Sequence, residues 1–137
     1  MTAYTAMGLV STGFPIPDTL FTYGLHSTID VVADLGKAVT LDTTATNTMK
    51  LAGTSDPIHG ILVLAEDRAA LGKVGTVARQ FKEKLPTVAG SALAVGMSVT
   101  GNSAAPGNVL PMAGGAHDGT LVIEVDPAGL WVAVESW

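Results

Sequence analysis

The sequence predicts an all-β fold: a small β-barrel or β-sandwich of short strands, preceded by an extended N-terminal arm and carrying at most one or two short helices. Three observations carry this. From Ile29 onward, short runs of Val, Ile, Leu and Thr are bounded by Gly, Pro, Asn and Asp. The skeleton Gly-x-x-Val recurs at Gly36, Gly60, Gly96, Gly119 and Gly129, as a chain does when it leaves tight turns and enters strands. Separators such as DTTATN (42–47), GTSDP (53–57) and AGGAHDG (113–119) keep the runs short, and many short strands at close spacing favour a barrel or sandwich.

Residues 1–29 form the arm and 30–137 the β-rich domain. The arm holds Tyr4, Phe14, Phe21 and Tyr23, four of the seven aromatics, and Asp18 is the only charge before Asp30. Gly8, Gly13, Pro15, Pro17 and Gly24 break any long regular element. Disordered leaders are polar and charged. The composition therefore favours an arm that orders against another subunit over a leader or an irregular first strand.

The strands then follow in order: Ile29–Asp34, Ala38–Leu41, Lys50–Ala52, Ile61–Ala65, Gly75–Phe81, Ser98–Thr100, Val109–Pro111, Thr120–Val125 and Leu130–Glu135. Asp126-Pro-Ala-Gly129 joins the last two as a hairpin turn, with proline fixing φ at the first central position. Residues 64–74 (LAEDRAALGKV) and 91–96 (SALAVG) are the two stretches able to form short helices. In the final strand, Leu130, Val132 and Val134 share one face and Trp131, Ala133, Glu135 and Trp137 the other. Trp137 is expected to pack on its own domain or on a neighbouring subunit.

Composition narrows function. A chain of 137 residues suits one domain with a real core. The net charge of −5 argues against nucleic-acid binding. Without cysteine there is no disulfide, thiolate metal site or cysteine nucleophile. Only 14% of residues are charged and mean hydropathy is +0.42, so part of the surface is expected to be covered by a partner. The N-terminus lacks the basic region of a secretory signal. Residues 85–116 are uncharged but interrupted by Pro86, Pro106 and Pro111, which argues against a membrane span.

Candidate chemistry is sparse. His26 with Asp30, His59 in SDPIHG, and adjacent His117 and Asp118 in GGAHDG are the only histidine settings. None has the HxH or HExxH spacing of a metal site, and His117 could ligate only with partners from elsewhere in the chain. LGKV (71–74) lacks the rest of a phosphate-binding loop. In GMSVTG (96–101), Thr100 stands where a nucleophile elbow needs glycine. The bases do cluster: Arg68, Lys73, Arg79, Lys82 and Lys84 are five of seven and fall within residues 68–84. They read either as an edge protected by lysines or as a patch meeting an acidic partner.

The steps Gly36–Val39, Leu51–Ala52, Asp56–Pro57 with Gly60–Ile61, Gly75–Val77 and Ala92–Val99 follow one another between residues 30 and 111. In this order they resemble the small capsid cement, or decoration, proteins of tailed phages. The arm and the GLWVAVESW finish lie outside the resembling pattern. The resemblance implies a trimeric or dimeric, non-enzymatic virion protein without cofactor, metal, nucleic-acid or membrane partner. It would be made in the host cytoplasm and bind the major capsid protein on the outer surface of the shell. Expected contact residues are Tyr4, Leu9, Phe14, Phe21 and Tyr23 from the arm, Arg79 and Lys82 from the basic cluster, and Trp131 and Trp137 from the end. Other virion roles (head fibre base, tail or head-closure component) and a carbohydrate-binding adhesin module are the alternatives.

Overall fold

A computed structural model describes residues 20–136. The fold is mainly β, as expected, and it contains a closed five-stranded barrel. The strands are β1 Leu20–Leu25, β2 Ala38–Leu41, β3 Thr48–Leu51, β4 Gly60–Asp67, β5 Lys73–Ala78, β6 Lys82–Pro86, β7 Val99–Gly101, β8 Val109–Pro111, β9 Thr120–Val125 and β10 Trp131–Ser136. The barrel runs β1-β3-β2-β4-β5 and closes through β5 onto β1. A three-stranded sheet, β6-β10-β9, and a two-stranded one, β7-β8, complete the fold.

The alternation of strand side chains divides the apolar residues between two clusters. Leu25, Ile29, Val39, Met49, Leu62 and Val77 fill the barrel, with Tyr23, Leu51 and Ala65 at its margin. Ala38, Ile61, Val63 and Ala78 leave the same strands on the opposite side. There they meet Phe81, Leu85, Val99, Val109, Val122, Val132 and Val134. A barrel this narrow needs a strand position without a side chain. At Gly75 a Cβ would stand 2.7 Å from the Leu64 carbonyl oxygen and 2.8 Å from Leu25 Cδ1.

The five Gly-x-x-Val steps all enter strands. Gly36, Gly96, Gly119 and Gly129 adopt positive φ at turn exits. Gly60 has a different reason to be glycine: a Cβ there would lie 2.4 Å from Val77 Cγ1 and 2.6 Å from the Ala78 carbonyl oxygen. The Asp126–Gly129 turn forms the expected hairpin. The Gly129 N–H donates to the Asp126 carbonyl at 2.8 Å, and the Asp126 carboxylate accepts from the N–H groups of Ala128 and Leu130.

Four local expectations are corrected. Residues 20–25, assigned to the arm, are a barrel strand paired along its whole length with β5, so the folded domain begins before residue 30. Residues 1–19 of the arm lie outside the described residues. Ile29–Asp34 is a turn, because Asp30 Oδ1 accepts from the N–H groups of Val32 and Ala33 and Asp34 Oδ2 accepts from the Asp30 N–H. These carboxylates offer the backbone an alternative to a ladder despite the β-branched run. The 64–74 helix is instead the end of β4, a 3-10 turn at Ala69–Leu71 and the start of β5. A helix of that length is marginal alone, and pairing with β5 wins. Residues 91–96, the other stretch expected to be able to form a helix, are irregular and end in a turn at 95–96.

Candidate interaction surface

The fold sorts the expected contact residues onto separate elements. Tyr4, Leu9, Phe14 and Trp137 lie outside the described residues. Phe21 and Tyr23 share one side of β1 with Leu25, which points into the barrel. Tyr23 packs against the lumen cluster, and its hydroxyl accepts a hydrogen bond of 2.9 Å from Arg79 Nη1. Antiparallel pairing of Leu20 with Ala78 brings Arg79 to this place. Sequence separates these two residues by 56 positions; the barrel closure joins them. Phe21 remains 48% exposed.

Trp131 opens β10 opposite Pro86 of β6, and Lys84, two residues along β6, places its ammonium 4.1 Å from the ring centroid. Lys82 stands opposite Glu135 on the same face. The inward face of β6 carries Leu85 and a buried Glu83, whose Oε1 accepts from the Lys84 N–H at 2.9 Å. Of the inner face expected for the last strand, Val132 and Val134 are fully buried, but Leu130 precedes β10 and is exposed, and Ala133, expected on the outer face, is buried beside the register shift at Ala133/Val134.

The basic run therefore does not form one patch. Arg68 pairs with Glu66 at 3.3 Å beside the β4–β5 turn. Lys73 donates to the carbonyls of Ser27 and Ile29, tying the 27–29 segment to β5. Arg79 serves Tyr23, and Lys84 covers Trp131. Only Lys82 and Lys84 share an edge strand, which matches the edge-protection reading of the cluster.

Among the histidines, His59 is held between strands. Its Nδ1 accepts from the Leu41 N–H at 2.9 Å and lies 3.2 Å from Thr40 Oγ1. Burial first, and then the Arg79 charge, hold its pKa below the ordinary histidine value, against the opposing pull of Asp56 and Asp118. His117 Nδ1 lies 3.0 Å from Ser98 Oγ, beside a concavity of about 170 Å³ lined also by Met97, Pro111 and Met112. Ser98 donates its proton to the Thr120 carbonyl, so the imidazole is the donor to Ser98 and cannot act as that serine's base. Asp118 accepts from Thr120 Oγ1 at 2.6 Å and stabilises the turn. Among the described residues no group of three or more His, Asp and Glu converges as a metal site. Among them too, no helix is long and apolar enough to cross a membrane.

Sequence reasoning missed the apolar side chains that the fold leaves outside. Leu71 at the β4–β5 tip is 84% exposed and Val32 77%. Leu64 on β4 and Leu130 beside the Asp126–Gly129 turn are also more than half exposed. A leucine that ends a 3-10 turn just before a positive-φ glycine, as in Ala69-Ala-Leu-Gly72, is the local signal that marks the first of these. No protein-family model matches the chain, and no curated protein matches it in sequence.

Proposed function

We propose that this protein is a structural virion component that binds the outer surface of an assembled icosahedral capsid. There it clamps neighbouring subunits of the major capsid protein and opposes the outward pressure of packaged DNA. The observation that supports this reading best is the make-up of the outer surface: the β scaffold has few charges to cover it, with 14% of residues charged, and leaves Val32, Leu64, Leu71 and Leu130 more than half exposed. Such a surface suits a protein that works while covered. A ligand that binds only the assembled shell raises the free energy of opening it, and repeated contacts add avidity. Because Arg68, Lys73, Arg79 and Lys84 are engaged internally, docking would be apolar and only weakly dependent on salt.

Copy number tests this. Quantitative mass spectrometry of purified virions, referenced to the major capsid protein, is expected to give a simple ratio amounting to hundreds of copies. A handful of copies would move the protein to the portal, neck or a fibre. Absence from virions would overturn the structural reading.

A further inference from the structure

We propose that the open edge of β1 is a self-association site, where two copies pair Leu20–Thr22 antiparallel about a two-fold axis through Phe21. Both edges of β1 are spoken for only at its C-terminal end. Gly24 and Leu25 pair with β3, but among the described residues Leu20–Tyr23 pair with β5 alone. Backbone alternation fixes which groups are open. The N–H groups of Gly24 and His26 both donate toward β3, to the carbonyls of Asn47 and Met49. Two residues back along the strand, the N–H and C=O of Thr22, and then of Leu20, point to that same side. Those of Phe21 and Tyr23 point to β5.

The contrast with β6 shows that this edge is not defended. Flanking β6, the Thr87 N–H donates to the Leu130 carbonyl just before β10 and the Phe81 carbonyl accepts from Ser136, so Lys82, Lys84 and Pro86 turn their backbone groups the other way. There the lysines carry charge, the Lys84 N–H is capped by Glu83, and Pro86 has no N–H. These are the devices that keep an edge from pairing. The open stretch of β1, Leu20-Phe-Thr22, has no charge and no proline, among the described residues no side chain caps its N–H groups, and it carries the half-exposed Phe21.

A second copy fits this edge in one register. With Leu20 opposite Thr22 of the second copy, every open N–H and C=O of those residues finds a partner in both copies. The ladder then stops at Gly24, whose N–H already belongs to Asn47. Phe21 meets Phe21 of the second copy at the axis as a non-hydrogen-bonded pair, with Cα atoms about 4.5 Å apart. No like charges are opposed. Such an isologous contact needs only one patch. It is smaller than the roughly 1,200 Å² of a stable interface, so the dimer of the isolated protein is weak and concentration-dependent.

The chain has no cysteine, so one substitution gives a single reporting thiol. The Cα separation at the axis falls within the range of about 4.4–6.8 Å that a disulfide spans. Under mild oxidation the Phe21→Cys protein is expected to form covalent dimers at least about tenfold faster than Leu64→Cys or Leu71→Cys, because pairing raises effective concentration. Adding Thr22→Pro removes an N–H that faces the open edge and no bond to β5, and should bring the rate down to that of the controls. Should that variant fail to fold, sedimentation of wild type against Phe21→Lys decides: dimer rising with concentration in the first, monomer in the second. Equal cross-linking at positions 21, 64 and 71, or a wild type that stays monomeric at high concentration, overturns the proposal. The readout uses the free protein alone, so monomers that still bind shells would remove this inference and leave the capsid reading standing.

Discussion

The barrel lumen and the layer between the barrel and β6-β10-β9 are both apolar, yet they are built under different constraints. The lumen is ringed by five paired strands, with β1 joined to β3 at Gly24 and Leu25, so its width is fixed. It holds a few large side chains, Leu25, Ile29, Met49 and Leu62, over the bare backbone of Gly75. The layer is open at its margins and is made largely of valine and alanine from separate sheets. A closed ring cannot widen to admit an atom or collapse to fill a hole, whereas packed layers can slide.

Substitutions can break this comparison. Leu62→Ala is expected to cost about 3–5 kcal/mol in denaturant unfolding, the upper part of the range for a buried leucine, because the ring cannot close the cavity. Gly75→Ala comes next, at about 1–3 kcal/mol, since the new Cβ meets a carbonyl oxygen that belongs to the ladder itself. Val132→Ala, fully buried in the layer, should cost about 2 kcal/mol, near the transfer value of the lost methyl groups with little added for a cavity. Equal costs for Gly75→Ala and for an alanine-to-valine change in the layer at Ala52 would sink the distinction.

Smaller effects sharpen the comparison at the surface. Tyr23→Phe removes only the hydroxyl that accepts from Arg79 and should cost about 0.5 kcal/mol, the low end for a hydrogen bond exposed to water. Lys84→Met keeps the stem over Trp131 but removes the charge, and should also cost about 0.5 kcal/mol. Tryptophan fluorescence in the Lys84→Met protein gives a separate measure of whether the ring stays covered.

Much of this architecture is legible in sequence where local chemistry and tertiary pairing agree. Val109–Pro111 and Thr120–Val125 begin and end as their composition says, and Asp126–Gly129 turns as its proline and glycine require. Legibility fails where the two disagree. Lys82–Pro86 is charged and ends in proline, so it does not read as a strand, yet an edge strand needs such residues. Ile29–Asp34 has the β-branched run of a strand, but Asp30 and Asp34 cap its N–H groups. Leu20–Leu25 follows a segment rich in glycine and proline and shows its strand character only against β5. Of the surface, the aromatic and basic residues could be named in advance. Their pairing as Tyr23 with Arg79 and Trp131 with Lys84 depends on barrel closure and on the β6–β10 register, which no local pattern encodes.

The smallest effect concerns His59, which stands where the loop before β4 meets β2. Its Nδ1 must be unprotonated to accept the Leu41 N–H, and burial and Arg79 both disfavour the charged ring. The folded protein therefore binds this proton less readily than the unfolded chain, whose histidines titrate near about 6.5. A depressed folded pKa means that the contribution is fully present above the unfolded value and is lost as pH falls from there through the folded one. Melting temperature should accordingly decline over that interval. His59→Asn offers an acceptor oxygen at the place of Nδ1 and does not titrate, so it should flatten this part of the profile while leaving stability at pH 8 nearly unchanged. Arg79→Met should act in the same direction by another route, raising the ring's folded pKa toward the unfolded value and so reducing the decline. If the wild-type and His59→Asn profiles run parallel from pH 8 to 5, the hydrogen bond to Leu41 is not what ties the ring to its neutral form.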